Sequence, residues 1–138
     1  VNIPNQLADR RFAVPVGDGD SAELRAEIAA FYQGFGQPGA LLSAFRRSAV
    51  LVPLTEDDRV STHRLGGIDW LYVFTTPEEY AAFVRAAGVQ AGREYRYHSI
   101  FGRRLLDKFV HRQAEPTGVL VDIAGAAPMA FPPELEEE

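Results

Sequence analysis

The sequence predicts an α+β fold, a single small mixed sheet with helices packed on it, in the order α-α-β-β-α-α-β-(β). Three observations predict it. The block at 66–84 reads in turn as a glycine turn, a buried strand, a capped helix start and an amphipathic helix. Apolar, β-rich runs at 49–54, 68–74 and 119–123 alternate with segments whose apolar residues recur at helical spacing. The Gly66-Gly67 turn implies an antiparallel pair, and the helices between Phe74 and Val119 are long enough to form a crossover.

Residues 1–19 are rich in polar residues, Pro and Gly and read as an N-terminal arm, with a short extended piece at 11–16. Asp20 is the expected N-cap of the first helix, with Glu23 closing a capping box. Leu24, Ile28, Phe31, Tyr32 and Phe35 form its apolar stripe, and Gly34 and Gly36 end it. Pro38 opens a second helix with Leu41, Leu42 and Phe45 on one face. The strand at 49–54 leads into a polar, hairpin-like excursion at 55–64, and Gly66-Gly67 turns into the next strand. Thr76 caps the third helix, with Pro77 at its first position and Glu79 completing the box. Tyr80, Phe83, Val84 and Ala87 are its buried stripe, and Gly88 stops it. Residues 89–99 read as irregular, and 101–113 as a helix with Leu105, Leu106, Phe109 and Val110 inward. Pro116-Thr117-Gly118 turns into the strand at 119–123, and 129–131 adds a short edge strand before Pro132-Pro133. The domain is expected over 20–133, followed by an acidic tail at 134–138.

The totals bound the function. At 138 residues, 46% apolar and 24% charged, the chain has the makeup of one globular domain with its own core. Having no Cys, it has neither a disulfide framework nor a thiolate metal site or nucleophile. No apolar run approaches the roughly 18 residues of a membrane span, and residues 1–11 lack the pattern of a signal peptide, so a cytoplasmic location is expected. The net charge is -5, but it is unevenly placed. The segment 85–112 holds seven basic residues against Glu94 and Asp107.

Candidate chemistry is sparse. His63, His98 and His111 lack metal-ligand spacing and read as surface residues. Ser21, Ser43, Ser48, Ser61 and Ser99 lie outside any nucleophile elbow, and Ser21 and Ser99 read better as helix starts. The carboxylates of Glu56-Asp57-Asp58 suit a solvated turn, and Glu78-Glu79 suit a helix N-terminus. Neither Gly17-Asp18-Gly19 nor Gly34-Phe35-Gly36 makes a phosphate loop. Asp69 and Asp122 each interrupt an apolar strand. Asp69 faces outward by alternation, whereas a buried Asp122 demands partners and is the one acid/base candidate. The run Arg93-Glu94-Tyr95-Arg96-Tyr97-His98 interleaves cations and rings, a pattern that also serves nucleic acids, but the sequence pI near 5.2 weighs against that class. An acidic protein partner, or self-association, is the expected use of Arg93, Arg96, Arg103, Arg104, Lys108 and Arg112.

Three blocks carry a family resemblance: Leu41-Leu42-Ser43-Ala44-Phe45-Arg46-Arg47-Ser48-Ala49-Val50-Leu51-Val52-Pro53-Leu54, Trp70-Leu71-Tyr72-Val73-Phe74-Thr75-Thr76-Pro77-Glu78-Glu79, and Pro116-Thr117-Gly118-Val119-Leu120-Val121-Asp122. Together they resemble the N-terminal domain of SseB-type proteins, named for enhanced serine sensitivity, over about 38–132. The family often places Asn-Pro after the last apolar run; here Ile123 and Ala124 follow Asp122. The resemblance implies a bacterial, non-enzymatic interaction or regulatory domain with no catalytic residues and no cofactor or metal, and the family name is also attached to secretion systems. Two other classes stay open. One is a ligand-binding domain or enzyme using Asp122 and the Tyr95–His98 loop. The other is nucleic-acid binding through 85–112.

Overall fold

In the computed structural model, residues 21–90 and 92–133 are described. The arm at 1–19, the Asp20 cap, the Gly17-Asp18-Gly19 turn and the tail at 134–138 lie outside them. The elements are α1 (Ala22–Tyr32), α2 (Pro38–Arg47), β1 (Ala49–Pro53), β2 (Thr62–Leu65), β3 (Ile68–Val73), α3 (Pro77–Ala87), β4 (Tyr97–Phe101), α4 (Gly102–Lys108), a 3-10 turn (Val110–Arg112), β5 (Thr117–Val121) and β6 (Met129–Phe131). The α+β class with a small mixed sheet is as expected. The main sheet has the order β2-β3-β5-β6. Its β3–β5 pair is parallel and the other two pairs antiparallel. A second pair, antiparallel β1–β4, joins it through reciprocal backbone bonds between Leu51 and Phe74, of 2.8 and 2.9 Å.

Local chemistry accounts for most boundaries. Gly66 and Gly67 both have positive φ, 62° and 83°, which side-chain-bearing residues rarely adopt and a two-residue type I′ hairpin turn requires. Arg64 Nη1 clamps that hairpin by donating to Asp69 Oδ1 at 2.9 Å, so Asp69 is a half-buried pairing partner. Thr76 Oγ1 accepts from the Glu79 N–H at 3.2 Å, capping α3, and Gly88 ends α3 at φ 98°.

Period-2 alternation along β1 and β3 divides the interior in two. Val50, Val52, Leu71 and Val73 point into one cluster with Leu24, Ile28, Phe45, Leu105 and Val121, covered by α1, α2 and α4. Leu51 and Phe74 point into a second, aromatic cluster with Tyr80, Val84 and Tyr95, covered by α3. Fully burying one such side chain is worth roughly 1.5–3 kcal/mol, so the first cluster supplies most of the cohesion.

Several expectations are corrected. Two strands are added: β2 lies in the polar excursion, and β4 occupies 97–101 where irregular chain and a helix start are expected. Ser99 therefore sits inside a strand and caps nothing, and the expected helix at 101–113 shrinks to α4 and the 3-10 turn. β4 was hidden because its register against β1, Ala49 to Phe101 through Pro53 to Tyr97, is a long-range choice. The stripe of α1 stops at Ile28; Phe31, Tyr32 and Phe35 are exposed, Phe35 by 76%. Ala87 is exposed rather than part of the stripe of α3.

Close approach of α4 to α2 depends on Gly102. A Cβ there would collide with the Phe45 carbonyl, a backbone atom that cannot swing away. Gly102→Ala is expected to lower stability by about 2 kcal/mol or more in urea unfolding. Gly39→Ala, in open space on α2, is expected to leave stability unchanged or raise it by up to about 1 kcal/mol.

Candidate functional site

The basic segment does not act as one surface. Arg96 is a structural tie. Its guanidinium pairs with Asp58 and donates to the carbonyls of Thr55 and Glu56 at 3.2 and 3.3 Å, gripping the turn at 55–59. That turn is also held from inside, where Thr55 Oγ1 accepts from the N–H groups of Asp57 and Arg59. Arg93 lies over the Tyr95 ring, 4.9 Å from its centroid. Arg103, Arg104, Lys108 and Arg112 are exposed on α4 and the 3-10 turn. Arg103 rests on the Phe101 ring at 4.6 Å, and none of the four has an ion-pair partner among the described residues. Asp107, the carboxylate within that stretch, is engaged by Arg46 at 3.4 Å and approached by His111 at 3.9 Å.

An aromatic cavity of about 270 Å³ opens between β3, α3 and the excursion at 54–63. Tyr72, Tyr80, Phe83 and Tyr95 form walls, with Arg93 and His63 at the opening. His63 and Tyr72 are cross-strand diagonal neighbours and stack with ring centroids 4.1 Å apart and planes 10° from parallel. Partial burial pushes the His63 pKa down, so its imidazole is neutral at neutral pH. Burial raises the Tyr80 phenol to about 12, and its hydroxyl donates to the Arg96 carbonyl at 3.3 Å. The Tyr95 hydroxyl accepts from the Gln90 N–H at 3.0 Å. Ser61 shares this cavity with His63, but no hydrogen bond joins them among the described residues.

The pairing of Asp122 with the Tyr95–His98 segment is not a single site. Tyr95 lines the aromatic cavity, and His98 lines a separate, mainly apolar one beside Val52 and Ile100; Asp122 lines neither. Tyr97 and His98 belong to β4 rather than to a loop. Asp122 is buried at the end of β5 with φ 53°, and both of its carboxylate oxygens accept from Thr75. Thr75 donates its N–H to Oδ1 at 2.8 Å and its hydroxyl to Oδ2 at 2.7 Å. The Thr75 carbonyl accepts from the Ser21 hydroxyl at 2.9 Å. Burial raises the Asp122 pKa, and the Thr75 bonds and Arg25 oppose that rise.

Glu79 also departs from expectation. Its carboxylate does not close the capping box; Oε1 is buried with no hydrogen-bond partner among the described residues, over Gly125, where a Cβ would strike it. Its pKa is raised by burial, then by the nearby charges of Asp122 and Glu78. Among the described residues no three His, Asp or Glu side chains converge as a metal site, and no helix is long and apolar enough to cross a membrane. Comparison of the chain with protein-family models, curated proteins and solved structures returns no match.

Sequence reasoning missed the cavity, although one signal was present. Aromatic Trp70, Tyr72 and Phe74 alternate with aliphatic Leu71 and Val73, marking one face of β3 as ring-lined.

Asp122→Ala removes both acceptors of Thr75 and leaves a non-glycine residue at positive φ. It is expected to cost about 2–4 kcal/mol in urea unfolding, and Asp122→Asn clearly less, since Asn accepts the N–H bond and tolerates this backbone. Burial raises the carboxyl pKa of both Glu79 and Asp122, so between the ordinary carboxylate pKa and the raised folded values the folded chain binds more protons than the unfolded one. Their contribution to stability is therefore complete below the ordinary carboxylate pKa and is lost as pH rises through the raised folded values. Glu79→Gln should flatten that decline and raise the urea midpoint at neutral pH. A profile parallel to that of the parent would show that Glu79 is not its source.

Proposed function

We propose that the chain is a non-catalytic protein-interaction or regulatory domain of SseB type that captures an acidic protein partner through α4 and the 3-10 turn. The observation that carries this reading is the group Arg103, Arg104, Lys108 and Arg112: four exposed cations with no ion pair among the described residues. Elsewhere, Arg46, Arg47, Arg64 and Arg96 are engaged by carboxylates of the same fold. Unpaired surface cations contribute little to folding, so they are available to steer and hold a partner of opposite charge. Arg93 and Arg96, which the sequence groups with these four, have other tasks: Arg96 braces a turn, and Arg93 sits at the aromatic cavity. The resemblance of the three sequence blocks supports the non-enzymatic part of the reading.

Simultaneous Arg103→Glu, Arg104→Glu and Arg112→Glu substitution should leave the unfolding midpoint within about 0.5 kcal/mol of the parent, as exposed unpaired sites do. Partner capture from a lysate should weaken by at least roughly ten-fold, equivalent to about 1.4 kcal/mol. Recovery of the same partners by the reversed variant would sink the proposal. Retention of the parent on heparin or RNA with a steep loss on adding salt would favour nucleic acid instead.

A further inference from the structure

We propose that the aromatic cavity between β3, α3 and residues 54–63 binds a small planar aromatic acid, with Arg93 receiving its carboxylate. This inference is independent of the basic face of α4.

Size sets the first limit. At about 270 Å³ the cavity lies at the lower edge of the roughly 300–1,000 Å³ typical of ligand sites, which suits one ring or a fused pair with a short substituent. Wall chemistry sets the second. Tyr72 and Phe83 meet edge to face, with centroids 5.5 Å apart at 83°, and the His63–Tyr72 stack continues the aromatic surface to the opening. Rings packed this way favour a planar guest, which presents both a face and an edge to them.

Charge sets the third. Among the described residues no carboxylate lines the cavity, and Arg93 is the one fully charged side chain in its lining. Its guanidinium is kept over the Tyr95 ring at 4.9 Å, with no ion pair among the described residues. A cationic guest would be repelled by Arg93, whereas a carboxylate finds a planar, permanently charged donor. Tyr95 adds to this, because its oxygen accepts from the Gln90 N–H while its own proton remains for donation. Neutral His63 offers one further donor or acceptor without a competing charge. The second cavity offers no such combination. Its walls are mainly apolar, and Asp58 at its edge is already paired with Arg96.

The test is an NMR titration of the full chain with phenylacetate and, separately, with its neutral isostere phenylacetamide. Saturable shifts are expected at His63, Tyr72, Phe83 and Tyr95, with the acid bound about ten-fold more tightly than the amide, the scale of one charge-assisted contact. Arg93→Gln should abolish that preference, weakening the acid about ten-fold more than the amide. Ala87→Phe, at an exposed helix position on the cavity wall, should block both probes with the unfolding midpoint preserved. Equal binding of acid and amide by the parent would overturn the carboxylate assignment. Shifts confined to other residues, or undiminished binding by a folded Ala87→Phe chain, would overturn the site itself.

Discussion

Thr75 is the joint on which the rest of the structure depends. It lies where β3 ends, and its polar groups are committed to two other parts of the chain. Its N–H and hydroxyl bind Asp122 at the end of the parallel strand β5, and its carbonyl binds Ser21 at the start of α1. Three segments far apart in sequence are thereby held at one corner of the sheet. A buried carboxylate is costly unless its acceptor sites are filled, and here two strong donors fill them. The arrangement also explains why Asp122 tolerates a positive φ, a backbone region that Asp visits more readily than most residues. The acid/base candidate of the sequence thus has both carboxylate oxygens engaged by Thr75.

From that joint the two faces of the sheet acquire different characters. The side under α1, α2 and α4 is mainly aliphatic, and close approach there is arranged by small residues such as Gly102. The side under α3 is aromatic and incompletely filled. Rings packed edge to face leave more space between them than branched aliphatic chains, and the excursion at 54–63 roofs that space only in part. Arg96 holds the roof in place through the turn at 55–59, so a residue of the basic run shapes a cavity instead of displaying charge.

The basic residues thus divide by neighbourhood. In sequence they form one segment, because charge can be counted along a chain but pairing cannot. Folding brings Asp58 to Arg96 and Asp107 to Arg46, and sets Arg93 beside Tyr95. Arg103, Arg104, Lys108 and Arg112 stay exposed with no ion pair among the described residues, and they carry the proposed interaction.

Local chemistry by itself determined the elements with strong signatures. The Gly66-Gly67 turn, the Thr76 cap with Pro77, the glycine stop at Gly88 and the apolar strands at β1, β3 and β5 all follow from preferences that act within a few residues. The α+β class follows from the same signals. Only tertiary structure decided β4, whose ragged sequence becomes a strand because β1 offers it an edge. It likewise decided the exposure of Phe31 and Phe35, the burial of a Glu79 oxygen with no hydrogen-bond partner among the described residues, and the meeting of His63 with Tyr72 across a hairpin. The physical reason is range. Turns, caps and alternation are set by neighbours along the chain, whereas pairing, burial and cavity walls depend on which distant segments the core draws together.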